Sequence, residues 1–360
     1  MRIQKIELHN FRGYENLSLA LESGVNVFIG KNGAGKTNLA EAISFLSLAR
    51  SFRTNDEKEI RKHGEQFSRI RGLFQIGERK LKVDMLLTSK GKQIQMNGSD
   101  IKTLSELLSE CHVLVFKPGD AFLFDESPSE RRKLMNLEIS RQSKKYLLLV
   151  RRYEKLLQER NALLKEENVE HNQLEVVTQM MIEVSKEIMS FRNLFFEKIK
   201  PIVEKVSHFL TNGLKRFEFK YIPFVKMNNI EENAKIAFEK AKDNDLRYGA
   251  TTIGVHREDF SCALNGVELS ATGSQGEKRL AALILKLAIY ELVKEKEKKP
   301  ILILDDVFSE LDEERQRRLL ELVKGYDQVI ITTTEWNKEI DATVYEVANH
   351  KVTRRITYGR

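Results

Sequence analysis

Residues 30–37 read Gly-Lys-Asn-Gly-Ala-Gly-Lys-Thr and match G-x-x-x-x-G-K-[ST] at every fixed position. The flanks constrain the fold as much as the motif does. Before it, Gly24 opens VNVFI, a short β-branched and aromatic run of the kind buried strands use. After it, Leu39, Ile43 and Leu46 recur at helical spacing in NLAEAISFLSLAR. Strand, glycine loop and helix together aim backbone N–H groups and a positive helix end at an anion. The glycines let the main chain approach a triphosphate without an intervening Cβ. The expectation is an α/β fold that binds a nucleoside triphosphate through Gly30, Lys31, Asn32, Gly33, Ala34, Gly35, Lys36, Thr37 and Asn38. Lys36 is expected on the β- and γ-phosphate oxygens, and the Thr37 hydroxyl on Mg2+.

A second segment supports this reading. Ile301 to Leu304 are four apolar residues that run directly into Asp305 and Asp306. Such a run suits a fully buried parallel strand, whose C-terminal end is where ligands sit in these sheets. Burying charge without a partner is costly, so two adjacent carboxylates there have few structural uses. Asp305 is the expected metal ligand and Asp306 the group that polarises the attacking water. Upstream, Ser274 and Gly276 stand at the start of a helix, where a hydroxyl and free N–H groups can meet an anion. Ser274 followed three residues later by Glu277 also fits a capping box.

Composition narrows the class. The chain has 360 residues, enough for two domains, and its 41% hydrophobic content can bury a core. Cys111 and Cys262 are the only cysteines, which excludes a disulfide framework or a multi-cysteine zinc site. No stretch approaches the roughly 18 apolar residues of a membrane helix. MRIQKIELHN lacks a signal-peptide core. The expected setting is soluble and cytoplasmic. The formal net charge is +7, and its placement is uneven: residues 130–165 hold eleven Lys and Arg but four Glu. Such an excess attracts polyanions, and Arg131, Arg132, Lys144, Lys145, Arg151 and Arg152 become candidate DNA contacts.

Two apolar stripes mark a helical hairpin in this region. Leu149, Leu156 and Leu163 form one, and Leu174, Val177, Met181, Val184, Ile188, Phe191 and Phe195 the other. Each arm is expected to span about 20–25 residues, roughly 30–38 Å, with further helix after it. Elsewhere Gly77, Gly91 and Asn97-Gly98 mark hairpin turns, as does Asn265-Gly266.

The order of phosphate loop, long insertion, Ser274-Gln275-Gly276 signature and acidic strand resembles the ATP-binding-cassette ATPases, in the branch containing the SMC and RecF proteins. Within it the RecF family is the nearest likeness. FRGYENL (residues 11–17), RSFRT (50–54), VFKPGD (115–120), SPSERRK (127–133), YEKLLQERNALLK (153–165), TTIGVHRED (251–259) and LDDVFSELD (304–312) carry it. The resemblance implies an ATPase head with a mixed sheet, residues 1–117 with 247–360. It also implies a smaller, mostly helical lobe, 118–246, with a short helical arm. It further implies an ATP- and Mg2+-dependent homodimer in which Ser274, Gly276 and Asp312 of one copy close on the γ-phosphate held by the other. Arg12 would reach a phosphate. Slow hydrolysis would release clamped duplex, gapped or junction DNA, in recombinational repair with a RecR-type partner. Departures are Lys133-Leu134-Met135-Asn136 after the arginine pair and Val255 in place of proline. Thr332, Thr333 and Thr334 stand where transporter cassettes have a switch histidine, and no Gln for the metal-contacting loop is evident. The alternatives are a cassette ATPase driving transport or assembly without DNA, and a nuclease-linked relative.

Overall fold

The computed structural model describes residues 1–125, 127–166, 170–294, 299–337 and 340–355. In chain order the elements are β1 (Arg2–Phe11), β2 (Tyr14–Ala20), β3 (Gly24–Ile29), α1 (Lys36–Leu48), β4 (Phe67–Ile76), β5 (Arg79–Thr88), β6 (Gly91–Met96) and β7 (Ser99–Asp100). There follow α2 (Leu104–Glu110), β8 (Val113–Phe116), α3 (Pro128–Gln142), α4 (Lys144–Leu163), α5 (His171–Thr211), β9 (Phe217–Ile222) and α6 (Ile230–Tyr248). The last are β10 (Asp259–Leu264), β11 (Val267–Glu268), α7 (Leu269–Thr272), α8 (Gln275–Lys294), β12 (Ile301–Asp305), α9 (Glu313–Val323), β13 (Gln328–Thr333), β14 (Ala342–Ala348) and β15 (Lys351–Arg355). They divide into two compact units. Met1–Asp120, His208–Leu214 and Ala282–Arg360 make the first, and Ala121–Ser207 with Lys215–Ala281 the second.

The first unit contains two six-stranded sheets. One is antiparallel, in the order β2-β1-β4-β5-β6-β7; the other runs β15-β14-β3-β13-β12-β8 and is parallel except at β15. Helix α1 touches β1, β4 and β5 of the first sheet and β8, β12 and β13 of the second. That position explains its composition: Leu39, Ile43, Phe45 and Leu46 are fully buried, and so is Glu41. The apolar run of β12 is buried end to end. Each such fully buried aliphatic chain contributes roughly 1.5–3 kcal/mol. The expected turns at Gly77, Gly91, Asn97-Gly98 and Asn265-Gly266 all adopt positive φ.

The second unit differs from expectation in three ways. It is not purely helical, because β9, β10 and β11 form an antiparallel sheet. Strand β9 alternates buried and exposed residues along FEFKYI, a period of two where continued helix was expected. The same pairing fastens residues 259–268 to 217–222, so the boundary falls at Ala281 rather than at 246, and the signature segment lies in this unit. Finally, α4 has the expected 20 residues but α5 has 41, about 60 Å. Its buried stripe runs on through Ile199, Val203, Val206 and Leu210, past Pro201. Asn212 and Gly213, both at positive φ, then end it, with the Gly213 N–H bonded to His208 O at 3.0 Å. The hairpin itself is antiparallel: Tyr146 packs on Phe191, while Arg160 Nε donates to Thr178 Oγ1 at 2.8 Å. Residues 167–169 of its polar connection lie outside the described residues.

Buried ion pairs organise this unit. Arg160, 2% exposed, donates to Asp245 Oδ2 at 2.7 Å and Thr251 Oγ1 at 2.8 Å. Arg192 pairs with Glu258 and also donates to Val255 O at 2.7 Å. Arg131 grips both oxygens of Asp259 at 2.8 Å. His256 is wedged between Tyr153 Oη, 2.9 Å from Nδ1, and Thr251 O, 3.1 Å from Nε2. That geometry suits neutral imidazole, with Nε2–H donating to the carbonyl and Nδ1 accepting from the tyrosine. Burial, opposed by the Thr251 carbonyl and reinforced by the Arg257 and Arg132 guanidiniums, pushes the His256 pKa down to about 4. The unfolded chain therefore binds the extra proton first, and stability rises with pH between about 4 and 6.5. Chemical denaturation at pH 7.5 and 4.5 should show a loss of stability in acid that is smaller in His256→Gln; equal losses would show that His256 is not the source.

Candidate functional site

Three parallel strands end side by side and assemble the site. Thr332 of β13 is in register with Asp305 of β12, and Thr333 with Ile29 of β3. The phosphate loop leaves β3 at this edge, turns with Gly33 at φ 80° and Gly35 at φ 113°, and enters α1. Two of its glycines are fixed by close approach. A Cβ on Gly30 would lie 2.2 Å from Val347 O, and one on Gly35 would lie 2.8 Å from His350 Cδ2. The loop is held from outside by two elements: in the β14–β15 turn the His350 N–H donates to Ala34 O at 3.0 Å, and from β2 Tyr14 Oη donates to Gly35 O at 3.1 Å.

The chemical groups converge as the spacing implied. Lys36 Nζ lies across the loop, donating to Gly30 O at 2.6 Å and Lys31 O at 3.0 Å. Burial lowers its pKa, while Asp306 and Asp305 raise it. Asp305 Oδ1 accepts from Thr37 Oγ1 at 3.0 Å and from Thr332 Oγ1 at 2.6 Å. Burial raises the Asp305 pKa; the two hydroxyls oppose it and neighbouring Asp306 adds to it. A buried carboxylate whose side-chain hydrogen bonds, among the described residues, come from two hydroxyls is one that a divalent cation would stabilise. Thr37 and Asp305, with phosphate oxygens and water, fit the few-ligand habit of Mg2+. Asp306 stands at φ 53°, its N–H donating to Thr332 Oγ1 at 3.0 Å. Together with Asn32, Gly33, Gly35, Lys36, Thr37, Asn38, Arg53 and Thr332 it lines a cavity of about 170 Å³, the size of a phosphate chain's berth rather than of a whole nucleotide.

Other expected residues separate. Arg12 grips Glu41 through Nε at 3.0 Å and Nη2 at 2.7 Å and donates to Glu59 O at 2.8 Å, and it does not line the cavity. Ser274 and Gly276 belong to the second unit, where Ser274 Oγ and the Glu277 carboxylate cap the first turn of α8 reciprocally. Glu277 is held at a pKa of about 2, chiefly by Lys215 and then by Ser274. Both Ser274 and Gly276 face solvent, and a Cβ on Gly276 would meet nothing within 4 Å. Asp312 caps α9, accepting from the Arg315 N–H at 2.8 Å.

Of the basic candidates, Lys144, Lys145 and Arg152 are exposed on α4 and Arg151 is half-buried. Arg131 is not a surface cation: Asp259 and Leu123 O hold its guanidinium inside the fold, away from DNA. Arg141 and Arg160 of the same basic stretch also have side chains only 2% exposed, so part of the apparent cationic face is interior. Arg132 is half-buried, with one bond to Glu258 O at 2.9 Å. Arg53 was missed. It lines the cavity and donates to Asn38 Oδ1 at 2.8 Å, with the Glu41 carboxylate 3.7 Å away. Its only signal was its place in RSFRT.

A phosphate loop backed by a parallel sheet, an acidic strand end beside its threonine, and an antiparallel sheet closing over α1 define the head of an ATP-binding-cassette ATPase. The profile of the RecF/RecN/SMC N terminal domain matches residues 2–354. "DNA replication and repair protein RecF" of Clostridium novyi is 38% identical over 337 residues, 93% of each chain. The protein of the same name from Halalkalibacterium halodurans is 36% identical over 362 residues, 96% of this chain and 98% of that one. The chain belongs to the RecF family. Two solved structures of the recombination mediator protein RecF in the RecFOR pathway, RecF-ATPrS and RecF-ATP, superpose with TM-scores of 0.88 and 0.89 at 34% identity, each over 98% of this chain. The Pyrococcus furiosus Smc head shares the fold at a TM-score of 0.58 and 19% identity. Among the described residues no helix is long and apolar enough to cross a membrane.

Proposed function

We propose that this chain is an ATP-gated DNA-binding protein of replication and repair, whose ATP-driven dimer clamps DNA and whose slow, DNA-stimulated hydrolysis releases it. The observation that carries the reading is the junction of Thr37, Asp305, Asp306 and Thr332 at the phosphate loop. Magnesium–ATP, when bound, supplies the phosphoryl bond to be broken. Lys36 and the loop N–H groups would hold the phosphates, Thr37 and Asp305 would hold the cation, and Asp306 would orient water and accept its proton. Arg53 adds a cation at the rim of the cavity.

Ser274 and Gly276 are open to solvent in the unit that lacks the phosphate loop, which favours their use by a second copy. DNA lies along the dimer, held mainly through its backbone, with Lys144, Lys145, Arg151 and Arg152 as contacts. The partners are duplex, gapped or junction DNA, a second copy of the chain and a RecR-type mediator, and the outcome is recombinase loading at single-strand gaps. Retention of duplex DNA on filters with ATP, with ADP and without nucleotide tests the clamp. Retention should be strongest with ATP, and equal retention in all three states overturns it.

A further inference from the structure

The loop between α6 and β10 carries an arginine that the charge balance around it leaves over. Residues 251–259 are tied down almost side chain by side chain. Thr251 and Thr252 bond to Asn161 and Asp245, His256 to Tyr153, Glu258 to Arg192 and Tyr221, and Asp259 to Arg131. Arg257 stands apart from this set: it is exposed, and among the described residues its side chain meets no acid or acceptor. Arg132 lies against the same loop, half-buried, with a single bond to the Glu258 carbonyl. Its pKa is pushed down by burial and by the guanidiniums of Arg192, Arg257 and Arg131, against the pull of Asp259. Four arginines therefore crowd two carboxylates, and both carboxylates are already engaged by Arg131 and Arg192. Arg132 and Arg257 remain as a local cation excess with guanidinium donors to spare.

We propose that Arg132 and Arg257 form an anion site that takes a backbone phosphate of the bound DNA. A planar, permanently charged fork suits phosphate oxygens better than any other side chain. A free protein anion would equally be attracted, but the location favours nucleic acid. The Tyr153–His256 bond ties this loop to α4, the helix that also carries the exposed Lys144, Lys145 and Arg152. The backbone at this point is fixed: His256 and Glu258 on either side are bonded, and the Arg257 N–H donates to Gly254 O at 2.9 Å. This inference rests on the DNA-binding reading above; it keeps Arg132 from the sequence candidates and adds Arg257, which the charge count along the sequence did not single out.

The test is Arg257→Gln, an exposed change that leaves the buried pairs intact, with thermal midpoint and ATP-dependent mass measured alongside to show that fold and dimer persist. Binding of a labelled duplex is followed by anisotropy with ATP and Mg2+ across a salt series. The variant should bind about 3- to 10-fold more weakly near 0.1 M salt, and the slope of log K against log[salt] should become shallower by roughly 0.9 for one lost phosphate contact. Arg132→Lys, which keeps the charge but loses the fork, should weaken binding while retaining most of the slope. Unchanged affinity and slope in Arg257→Gln overturn the site while leaving the DNA reading standing. A parental protein that binds no duplex in any nucleotide state removes that reading, and this contact with it.

Discussion

Asp306→Asn should slow steady-state ATP turnover by about 10²- to 10³-fold, the range expected when a positioned proton acceptor is lost, while ATP binding stays near the parental level. The two adjacent carboxylates are not equivalent, which makes the prediction specific. Asp305 is buried and bonded to Thr37 and Thr332, in the posture of a cation ligand. Asp306 turns away at φ 53° and faces the cavity shared with Lys36 and Arg53. Asparagine keeps the shape and can still order water, but it takes no proton. The ATP-held dimer should accumulate, visible as a lasting mass increase in light scattering. Turnover at the parental rate would assign the acceptor role to another group.

Lys36→Ala should abolish the ATP-induced dimer and weaken ATP binding by about 10- to 100-fold, the scale of losing one charge-assisted hydrogen bond to a phosphate. Lys36 is well placed for this: its ammonium already reaches over the loop to Gly30 O and Lys31 O, so binding exchanges those carbonyls for phosphate oxygens without moving the helix. The side chain is buried and, among the described residues, makes no ion pair at contact distance, its ammonium being held by two carbonyls, so the folded state should survive its removal. Light scattering with and without ATP reads the outcome directly. A variant that dimerises normally with ATP removes the shared-site mechanism.

What was legible in the sequence was whatever is encoded by near neighbours. The phosphate loop, its flanking strand and helix, and the Leu304-Asp305-Asp306 strand end depend on contiguous residues, and each stands where the spacing put it. The hidden parts depend on distant partners. Nothing near Arg131 in the chain shows that Asp259 will bury it, or near Arg160 that Asp245 will. A charge count therefore read interior ion pairs as surface. Arg12, which the family resemblance set at a phosphate, is paired with Glu41 of α1, a contact that its neighbours in the chain do not announce. Arg53 sits in a connecting segment whose path is set by Asn38 and Glu41, not by any periodicity of its own. The boundary of the second unit was misplaced because β9 is short and its partner β10 lies beyond a whole helix.

The neighbours of β3 have a consequence for how the protein comes into being. This strand, which ends in the phosphate loop, pairs on one side with β13 and on the other with β14. Those partners begin only at Gln328 and Ala342, so Gly24–Ile29 has no strand to pair with until the chain has grown far beyond it. Until then a strongly apolar segment waits unsatisfied. Closure over so long a separation is slow and exposed to misassociation. The phosphate loop therefore gains its strand support only once the chain beyond Gln328 has been made.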